Sequence, residues 1–162
     1  MNGKVSTSPR LRGGQSGCDI IYSNVSQAVI DTNVLLSGVR SKLGASNLLV
    51  EAWLRGVIRP VVSTALWLEY EDVLKRTGLH AMTHPEVDVV LADLARNSRT
   101  TEIHMRWRPQ LRDPGDEFVL EAAINGRADT IVSYNRRDFL PACRRFGIAI
   151  MSPARFLDEV LP

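Results

Sequence analysis

The chain has 162 residues, of which 44% are apolar and 23% are charged, and these proportions exclude a fibrous or wholly disordered protein. This length accommodates one hydrophobic core but hardly two. No apolar stretch reaches the roughly 18 residues that a membrane-spanning helix needs, and no secretory signal is visible, so we expect a cytoplasmic protein with no membrane partner.

The net charge of +2 arises in the first 27 residues, which hold three basic residues and one acidic residue, so the rest of the chain is balanced. The overall charge therefore gives no evidence of nucleic-acid binding. The two cysteines, Cys18 and Cys143, lie in unlike contexts. They form neither a disulfide framework nor a zinc spacing, which favours a reducing compartment.

Residues 1–27 are rich in glycine, serine and other polar residues and show no periodicity. We predict that they form a disordered leader or an extension. The folded domain is then expected to comprise residues 28–162.

Short apolar runs alternate with helical patterns along the rest of the chain. The apolar runs predict strands at residues 28–30, 61–62, 101–104, 130–132 and 147–151. The helical patterns predict helices at residues 46–55, 64–76, 85–97, 114–125 and 136–146, and a last helix from Pro153. Strands that alternate with amphipathic helices favour a mainly parallel central sheet covered on both faces. We therefore predict an α/β domain with a three-layer α/β/α architecture.

Acidic and amide side chains follow the first two predicted strands. Asp31 and Asn33 come directly after the first strand, and Glu69 lies one to two helical turns beyond the second. Ligands of parallel α/β folds bind outside the carboxyl ends of the strands. These side chains are therefore placed to meet at one edge of the sheet.

The second half of the chain continues this pattern. Asp113 and Asp116 lie at the start of a predicted helix, and Ser133, Asn135 and Asp138 follow the fourth strand. If the strands are parallel, these residues reach the same edge as those of the first half.

Each of these residues also has a purely structural interpretation. Asp31 and Asn33 could cap a helix after the first strand, and Asp113 before Pro114 has the pattern of an N-cap followed by proline. Asn135 could cap the helix that follows it. Capping, however, accounts neither for a shared edge nor for the glutamate.

A cluster of carboxylates at one edge needs a compensating cation, because like charges raise one another's pKa values. Oxygen ligands suit Mg²⁺ (or Mn²⁺) rather than zinc. The histidines show no metal-binding spacing such as His-Glu-x-x-His. We therefore expect carboxylates to hold a Mg²⁺ or Mn²⁺ cofactor.

Four segments, taken in order, resemble the motifs of PIN domains. They are residues 29–37 (VIDTNVLLS), residues 63–74 with Glu69 inside, residues 113–116 (DPGD) with 120–123 and 128–129 after them, and residues 131–135 (IVSYN). The resemblance extends over residues 28–158. It is nearest to the VapC-like toxins of bacterial toxin–antitoxin systems.

The resemblance implies a metal-dependent endoribonuclease with Asp31, Glu69 and Asp116 as its catalytic residues and central metal ligands. Asn33 and Ser133 are implied as supporting polar groups. RNA is the implied substrate, and the implied partners are a cognate antitoxin protein and a second copy of the chain.

The fourth motif departs from the family pattern. Asn135 stands where an acid is usual, and an amide adds no negative charge to a metal site. The resemblance implies that Asp138 can substitute as a metal ligand, with Asn135 as a supporting group. Asp113, beside the third motif's ligand, is expected to support the site as well.

Basic and aromatic side chains near the motifs are candidates for RNA contact. We expect Arg112, Arg136 and Arg137 to bind phosphates, which positions RNA rather than selecting a sequence. Tyr134 or Trp107 could offer a stacking face to single-stranded RNA, although a core or surface role suits either ring as well.

Other functions compete with this prediction. A catalytically weak PIN-like RNA-binding or regulatory protein would account for Asn135 equally well. A phosphoacceptor receiver domain would need a paired acid near the first strand and a lysine after a late one. A nucleotide-binding enzyme would need a glycine-rich loop after a strand. The sequence has neither of these last two patterns.

Overall fold

The structure of the protein is a computed structural model, and it describes residues 27–76 and 81–161. The predicted leader therefore lies outside the described residues except for Gln27. The carbonyl of Gln27 accepts hydrogen bonds from the amides of Asp129 (2.8 Å) and Thr130 (3.2 Å). This residue is thus tied to the domain, one position before the predicted boundary.

Deleting residues 1–26 is expected to change neither the melting temperature nor the activity of the protein, because this stretch has too few apolar residues to join the core. Thermal unfolding of the full and shortened chains, followed by circular dichroism, measures the first property. A loss of several degrees in the shortened chain would show that the segment packs on the domain.

Five short strands alternate with seven helices in the described part of the chain. The strands are β1 (Ala28–Ile30), β2 (Val61–Ser63), β3 (Arg99–Thr101), β4 (Thr130–Val132) and β5 (Ala149–Met151). The helices are α1 (Thr32–Arg40), α2 (Ala45–Leu54), α3 (Thr64–Lys75), α4 (His84–Arg96), α5 (Asp116–Asn125), α6 (Arg136–Phe146) and α7 (Pro153–Val160). None of these described helices has the length and apolar character that a membrane crossing requires.

Every strand pair in the described residues is parallel. β4 lies between β1 and β5 in one sheet, and β2 pairs with β3 in another. Helix α5 packs against β1, β2 and β4, while α6 packs against β5 and α3 against β2. The predicted three-layer α/β/α architecture is confirmed, with its parallel strands hydrogen-bonded as two sheets.

Branched apolar residues fix the central strands in the core. Val29 and Ile30 of β1 and Ile131 and Val132 of β4 are all fully buried. Burying a side chain of this size contributes about 1.5–3 kcal/mol. Because consecutive residues are buried, both faces of these strands are covered, as parallel strands between helical layers require.

The boundaries of the third strand differ from the prediction for residues 101–104. β3 begins two residues earlier, because the amide of Arg99 donates a hydrogen bond to the carbonyl of Pro60 (2.9 Å). After its third residue the chain leaves the sheet. There the side chain of Asn125 accepts a hydrogen bond from the amide of His104 (3.0 Å) in place of a strand partner.

Two further elements begin two residues later than predicted. Helix α5 starts at Asp116 rather than Pro114, because the carboxylate of Asp113 accepts a hydrogen bond from the amide of Gly115 (2.9 Å) and closes a turn first. Strand β5 starts late because Gly147 adopts a φ of 69° and ends α6. Glycine takes this left-handed conformation without steric cost.

Two buried glutamates of α5 hold the segment that leads into the turn before this helix. Glu117 accepts hydrogen bonds from the amides of Gln110 (2.6 Å) and Leu111 (2.9 Å). Glu121 binds Arg108 through two hydrogen bonds of 2.7 and 2.9 Å. Both carboxylates are 3% exposed, and their bonds compensate the cost of burying charge.

The carboxyl ends of three strands meet at one edge of the domain. Asp31 follows β1, and its amide donates to the carbonyl of Val132 at the end of β4 (2.9 Å). Ser133 follows β4, and its amide donates to the carbonyl of Met151 in β5 (2.9 Å). Ser63 ends β2 and is the N-cap of α3. The topology thus places Asp31 and Ser133, the residues that follow β1 and β4, at a shared edge.

Candidate metal centre

Asp31 lies directly after β1 and is 1% exposed. Its Oδ2 accepts hydrogen bonds from Asn33 Nδ2 (2.7 Å) and from the hydroxyl of Ser133. Its Oδ1 accepts a hydrogen bond from the hydroxyl of Thr32 (3.2 Å). All these donors are neutral, so they orient the carboxylate and leave its charge uncompensated.

Burial raises the pKa of Asp31, because a buried carboxylate loses the water that stabilises its charge. Hydrogen bonds from the side chains of Ser133 and Thr32 act in the opposite direction. Asp31 occupies the N-cap position of α1, yet its side chain makes no capping hydrogen bond. The side chain therefore binds mainly to the side chains of Asn33, Ser133 and Thr32, and the backbone amides of Asn33 and Thr32 add smaller contributions that lower its pKa.

Ser133 is fully buried and joins the first and fourth motifs. Besides donating to Asp31, its hydroxyl accepts hydrogen bonds from the amide of Asn135 (2.9 Å) and from Nδ2 of Asn33 (3.4 Å). The carbonyl oxygen of the Asn33 side chain accepts from the amide of Tyr134 (3.5 Å). These contacts bring together side chains that are about 100 residues apart in sequence.

Asp116 begins α5 and is partly buried. Its Oδ2 accepts a hydrogen bond from Nδ2 of Asn135 (3.3 Å). Asn135 is the N-cap residue of α6, but its side chain makes no capping bond. The side chain of Asn135 thus contacts a candidate metal ligand instead of capping its own helix, contrary to the capping interpretation.

Asp116 has the most strongly shifted pKa of the candidate ligands. Burial is the largest cause, and the negative charges of Asp31, Asp113 and Asp138 add to it, so that the pKa rises to about 7. The hydrogen bond from Asn135 offsets only part of this rise. Three carboxylates therefore lie within electrostatic range of Asp116 at this edge.

Glu69, on α3, faces the turn that precedes α5. A Cβ placed on Gly115 would lie 3.3 Å from Oδ1 of Asp113 and 3.9 Å from Oε1 of Glu69. The absence of a side chain at Gly115 therefore leaves space between these two oxygens. Glu69 forms no ion pair with a described lysine or arginine.

The carboxylates do not form a finished coordination shell. Within residues 27–76 and 81–161, no three acidic, histidine or cysteine side chains come close enough to make a metal-binding group. Glu69 is also not among the charges that raise the pKa of Asp116. The structure places Asp31 and Asp138 in electrostatic range of Asp116, and Glu69 across the turn at Gly115.

The donor set nevertheless fits a hard divalent cation. In the described part of the chain, no lysine or arginine forms an ion pair with Asp31, Asp116 or Asp138. A bound cation would relieve the repulsion that raises the pKa of Asp116, and the bare Gly115 leaves room beside it. Carboxylate oxygens are the ligands that Mg²⁺ and Mn²⁺ prefer.

The three arginines expected to bind RNA are all exposed at or near this edge. Arg112 directly precedes Asp113. Arg136 and Arg137 begin α6 and line a groove together with Asn135. None of the three forms an ion pair with another described residue. Their guanidinium groups are thus available to an anionic ligand.

Sequence reasoning assigned no role to several residues that shape the centre. The hydroxyl of Thr32 orients Asp31, a role that the Asp-Thr-Asn run could have indicated. Tyr70 is fully buried and donates a hydrogen bond to the carbonyl of Ile30, and burial raises its pKa well above the usual value. Tyr70 carries no signal in the sequence, because it acts on Ile30, which is 40 residues away in the chain.

Comparison with known proteins gives one family. A sequence profile of the family described as PIN domain matches residues 27–137 of this chain. We find no match to the chain among the curated proteins or among the solved structures. The matched region contains β1 to β4 and every candidate metal ligand except Asp138.

Proposed function

This chain belongs to the PIN-domain family, whose members are in general nucleases that use divalent metals, and from that premise we propose that it hydrolyses RNA phosphodiester bonds. The observation that carries the proposal is the uncompensated carboxylate set at the carboxyl ends of the strands. Burial, followed by the negative charges of Asp31, Asp113 and Asp138, raises the pKa of Asp116 there to about 7. A site that serves only the fold gains nothing from this repulsion.

In the proposed reaction, Asp31, Asp116 and Glu69 would hold Mg²⁺ or Mn²⁺, with Asp138 as a further ligand. When bound, such an ion supplies an activated water and neutralises charge on the phosphate oxygens. The other side chains position these ligands. Ser133 orients Asp31 by donating a hydrogen bond to its Oδ2.

The neutral donors and the arginines have separate tasks in this mechanism. Asn33 and Asn135 keep the carboxylates of Asp31 and Asp116 in fixed orientations through bonds of 2.7 and 3.3 Å. Arg136 and Arg112, exposed beside the acids, would bind the phosphates that flank the cleaved bond. Binding the flanking phosphates counters the repulsion between RNA and the acidic edge.

The direct test is cleavage of RNA by the purified full chain with Mg²⁺ or Mn²⁺, with and without a chelator. We expect cleavage of RNA within the strand, dependent on the cation and abolished by the chelator. A DNA of the same sequence serves as the control for substrate class. Cleavage that persists in chelator, or no cleavage of any RNA, would contradict the proposal.

We further propose that the protein acts in the cytoplasm as the toxin of a toxin–antitoxin pair. The resemblance of its four motifs to VapC-like toxins supports this role. Its partner would be an antitoxin protein that blocks the acidic edge with a basic side chain. Growth arrest on expression of the wild-type chain tests the toxin role in cells, and its relief by Asp31→Asn would link the arrest to the nuclease chemistry.

A catalytically weak RNA-binding or regulatory protein is the second candidate. The observations that favour it are the amide of Asn135 in the fourth acidic position and the lack of a finished coordination shell in the described residues. Such a protein would bind RNA in the chelator as tightly as with Mg²⁺ and would cleave none.

Asp138 is expected to supply the charge that Asn135 lacks. Asp138 is exposed in the first turn of α6, and its charge contributes to the raised pKa of Asp116. Asp138→Ala should weaken Mg²⁺ affinity about tenfold, and Asn135→Asp should strengthen it. Calorimetric titration with Mg²⁺ measures both, with Asp158→Ala on α7 as the control.

The alternative role of Asp138 is a favourable interaction with the N-terminus of α6. That role predicts a small loss of stability in Asp138→Ala and unchanged Mg²⁺ affinity in both variants. Unchanged affinity would leave the centre with three acids only.

A further inference from the structure

Tyr134 is an exposed aromatic residue held in a fixed position between two residues of the candidate centre. It lies between Ser133, which binds Asp31, and Asn135, which binds Asp116. Its side chain is 54% exposed. Its hydroxyl nevertheless forms a hydrogen bond of 2.7 Å with the hydroxyl of Ser46.

The contact with Ser46 anchors the ring to an element distant in sequence. Ser46 lies in α2, 88 residues earlier in sequence, and is 3% exposed. The polar end of Tyr134 is therefore fixed while part of the ring surface stays open to solvent. A fixed aromatic ring loses little conformational entropy when a flat ligand stacks on it.

The ring forms one side of a groove that adjoins the candidate centre. The groove is lined by Tyr134, Asn135, Arg136, Arg137, Leu140 and Ile150. Leu140 is 37% exposed, so the wall contributed by α6 has apolar surface as well as charge. The groove thus combines an aromatic face and aliphatic side chains with two cationic groups.

The charges in this groove are positive and unpaired. Within the described ranges, Arg136 and Arg137 form no ion pair with an acidic side chain. The candidate metal ligands next to the groove are negative. A ligand that spans both regions therefore needs anionic groups over the groove, with a flat apolar part against Tyr134.

We propose that this groove binds one nucleotide of single-stranded RNA beside the cleaved phosphate. The base stacks on Tyr134 and contacts Leu140, and the backbone phosphates bind Arg136 and Arg137. This inference rests on the proposed function for the nature of the ligand. It adds to that function a defined subsite and a preference for unpaired strands.

An unpaired strand is required because a base must leave its own stack to lie against Tyr134. In an RNA duplex both faces of a base are covered by its neighbours, while a single strand can turn its bases toward aromatic side chains. Stacking on an aromatic residue is insensitive to base identity. We therefore expect little sequence preference from this subsite.

The test uses the full chain in chelator, so that binding is measured without cleavage. A short single-stranded RNA carrying 2-aminopurine reports stacking through quenching of its fluorescence, and anisotropy of a labelled RNA reports affinity. For the wild type we expect quenching on binding. Tyr134→Leu should remove the quenching and weaken binding about tenfold.

Two further variants separate stacking from other roles of the side chain. Tyr134→Phe keeps the ring but loses the bond to Ser46, so quenching should persist with a smaller loss of affinity. Trp107→Leu removes another exposed aromatic ring, which packs against Phe146 with ring centroids 6.1 Å apart. This variant should leave both the 2-aminopurine quenching and the RNA affinity unchanged. Circular dichroism of each variant checks that it is folded.

The outcomes distinguish this inference from the proposed function. The subsite is overturned if wild-type protein gives no quenching, if Tyr134→Leu binds and quenches like the wild type, or if a duplex of the same sequence binds as tightly. Metal-dependent cleavage by wild-type protein is measured in parallel. Cleavage with any of these results overturns the subsite alone, whereas absent cleavage overturns the proposed function.

Discussion

Replacing Asp116 with asparagine is expected to stabilise the metal-free protein at neutral pH. The pKa of Asp116 is raised to about 7 in the folded protein, from 3.8 in an unperturbed carboxyl group. Folding therefore disfavours the ionised form. This cost is absent below about pH 4, grows as the pH rises toward 7, and is complete above that value.

The size of the effect follows from the shift of the pKa. A shift of this size corresponds to at most about 4 kcal/mol. Because the side chain of Asp116 is only partly buried, we expect about 1–2 kcal/mol after allowing for solvent screening. The wild type should thus lose stability between pH 4 and pH 7 in chelator, and Asp116→Asn should lose less over the same window.

Urea unfolding at pH 4, 6 and 8 in chelator measures this difference. Asp158→Asn, an exposed aspartate of α7, is the matched control and should follow the wild type at each pH. Addition of Mg²⁺ at pH 8 should stabilise the wild type and leave Asp116→Asn nearly unchanged. An Asp116→Asn protein that is less stable than the wild type at pH 8 would show that the carboxylate serves the fold.

Loss of RNA cleavage is the second large effect, expected for Asp31→Asn and Glu69→Gln. Each change removes one carboxylate from the set that would hold the metal. We expect activity to fall more than about 100-fold, beyond the usual cost of losing an outer-shell partner of a metal. Initial rates on a labelled single-stranded RNA at saturating Mg²⁺ measure this loss.

Both variants should remain folded. An asparagine at residue 31 can still accept hydrogen bonds from Ser133 and Asn33 at its oxygen and can donate from its amide to the hydroxyl of Thr32. Glu69 is partly exposed on α3, where glutamine is a good helix former.

Glu71→Gln is the matched control for Glu69→Gln, because both residues lie on α3. Glu71 forms an ion pair with Lys75 (2.6 Å) on the surface, and such pairs contribute little to stability. This variant should cleave RNA like the wild type. Equal losses in both variants would mean that a general property of α3 is responsible, and wild-type rates in Asp31→Asn would contradict the mechanism.

The sequence predicted the central strands well because their signal is local. Val29 and Ile30 precede Asp31 directly, and Ile131 and Val132 precede Ser133. The same short run of residues therefore predicts both the strand and the site residue that follows it. Parallel strands then place both site residues at the same edge. The architecture and the positions of the first and fourth motifs follow from this rule alone.

The first and last residues of the other helices and strands depend on contacts that the sequence does not show. Predicting the start of β3 required the hydrogen bond between Arg99 and Pro60, and the start of α5 required the turn closed by Asp113. Both are decided by partners that local propensity does not identify. The same holds for Glu117, whose carboxylate binds backbone amides six and seven residues earlier.

The details of the candidate site were less predictable than its location. Capping was a reasonable prediction for Asp31 and Asn135, since both occupy N-cap positions. The side chain of Asn135 instead contacts Asp116, and that of Asp31 contacts the distant Ser133 as well as its own neighbours in the chain. The hydrogen bond between Tyr134 and Ser46 joins residues 88 positions apart in sequence, and no periodicity or spacing predicts such a contact.

The proposed function depends most on the binding of a divalent cation by the carboxylate set, and one calorimetric measurement tests this. Metal-free protein is titrated with Mg²⁺ at pH 7 in two buffers that differ in ionisation enthalpy. We predict saturable binding with release of a fraction of a proton per cation, because the pKa of Asp116 is about 7 and the cation displaces its proton. Asp116→Asn should lose both the proton release and most of the affinity. Absence of binding to the wild type, or equal binding without proton release in both proteins, would contradict the proposed function.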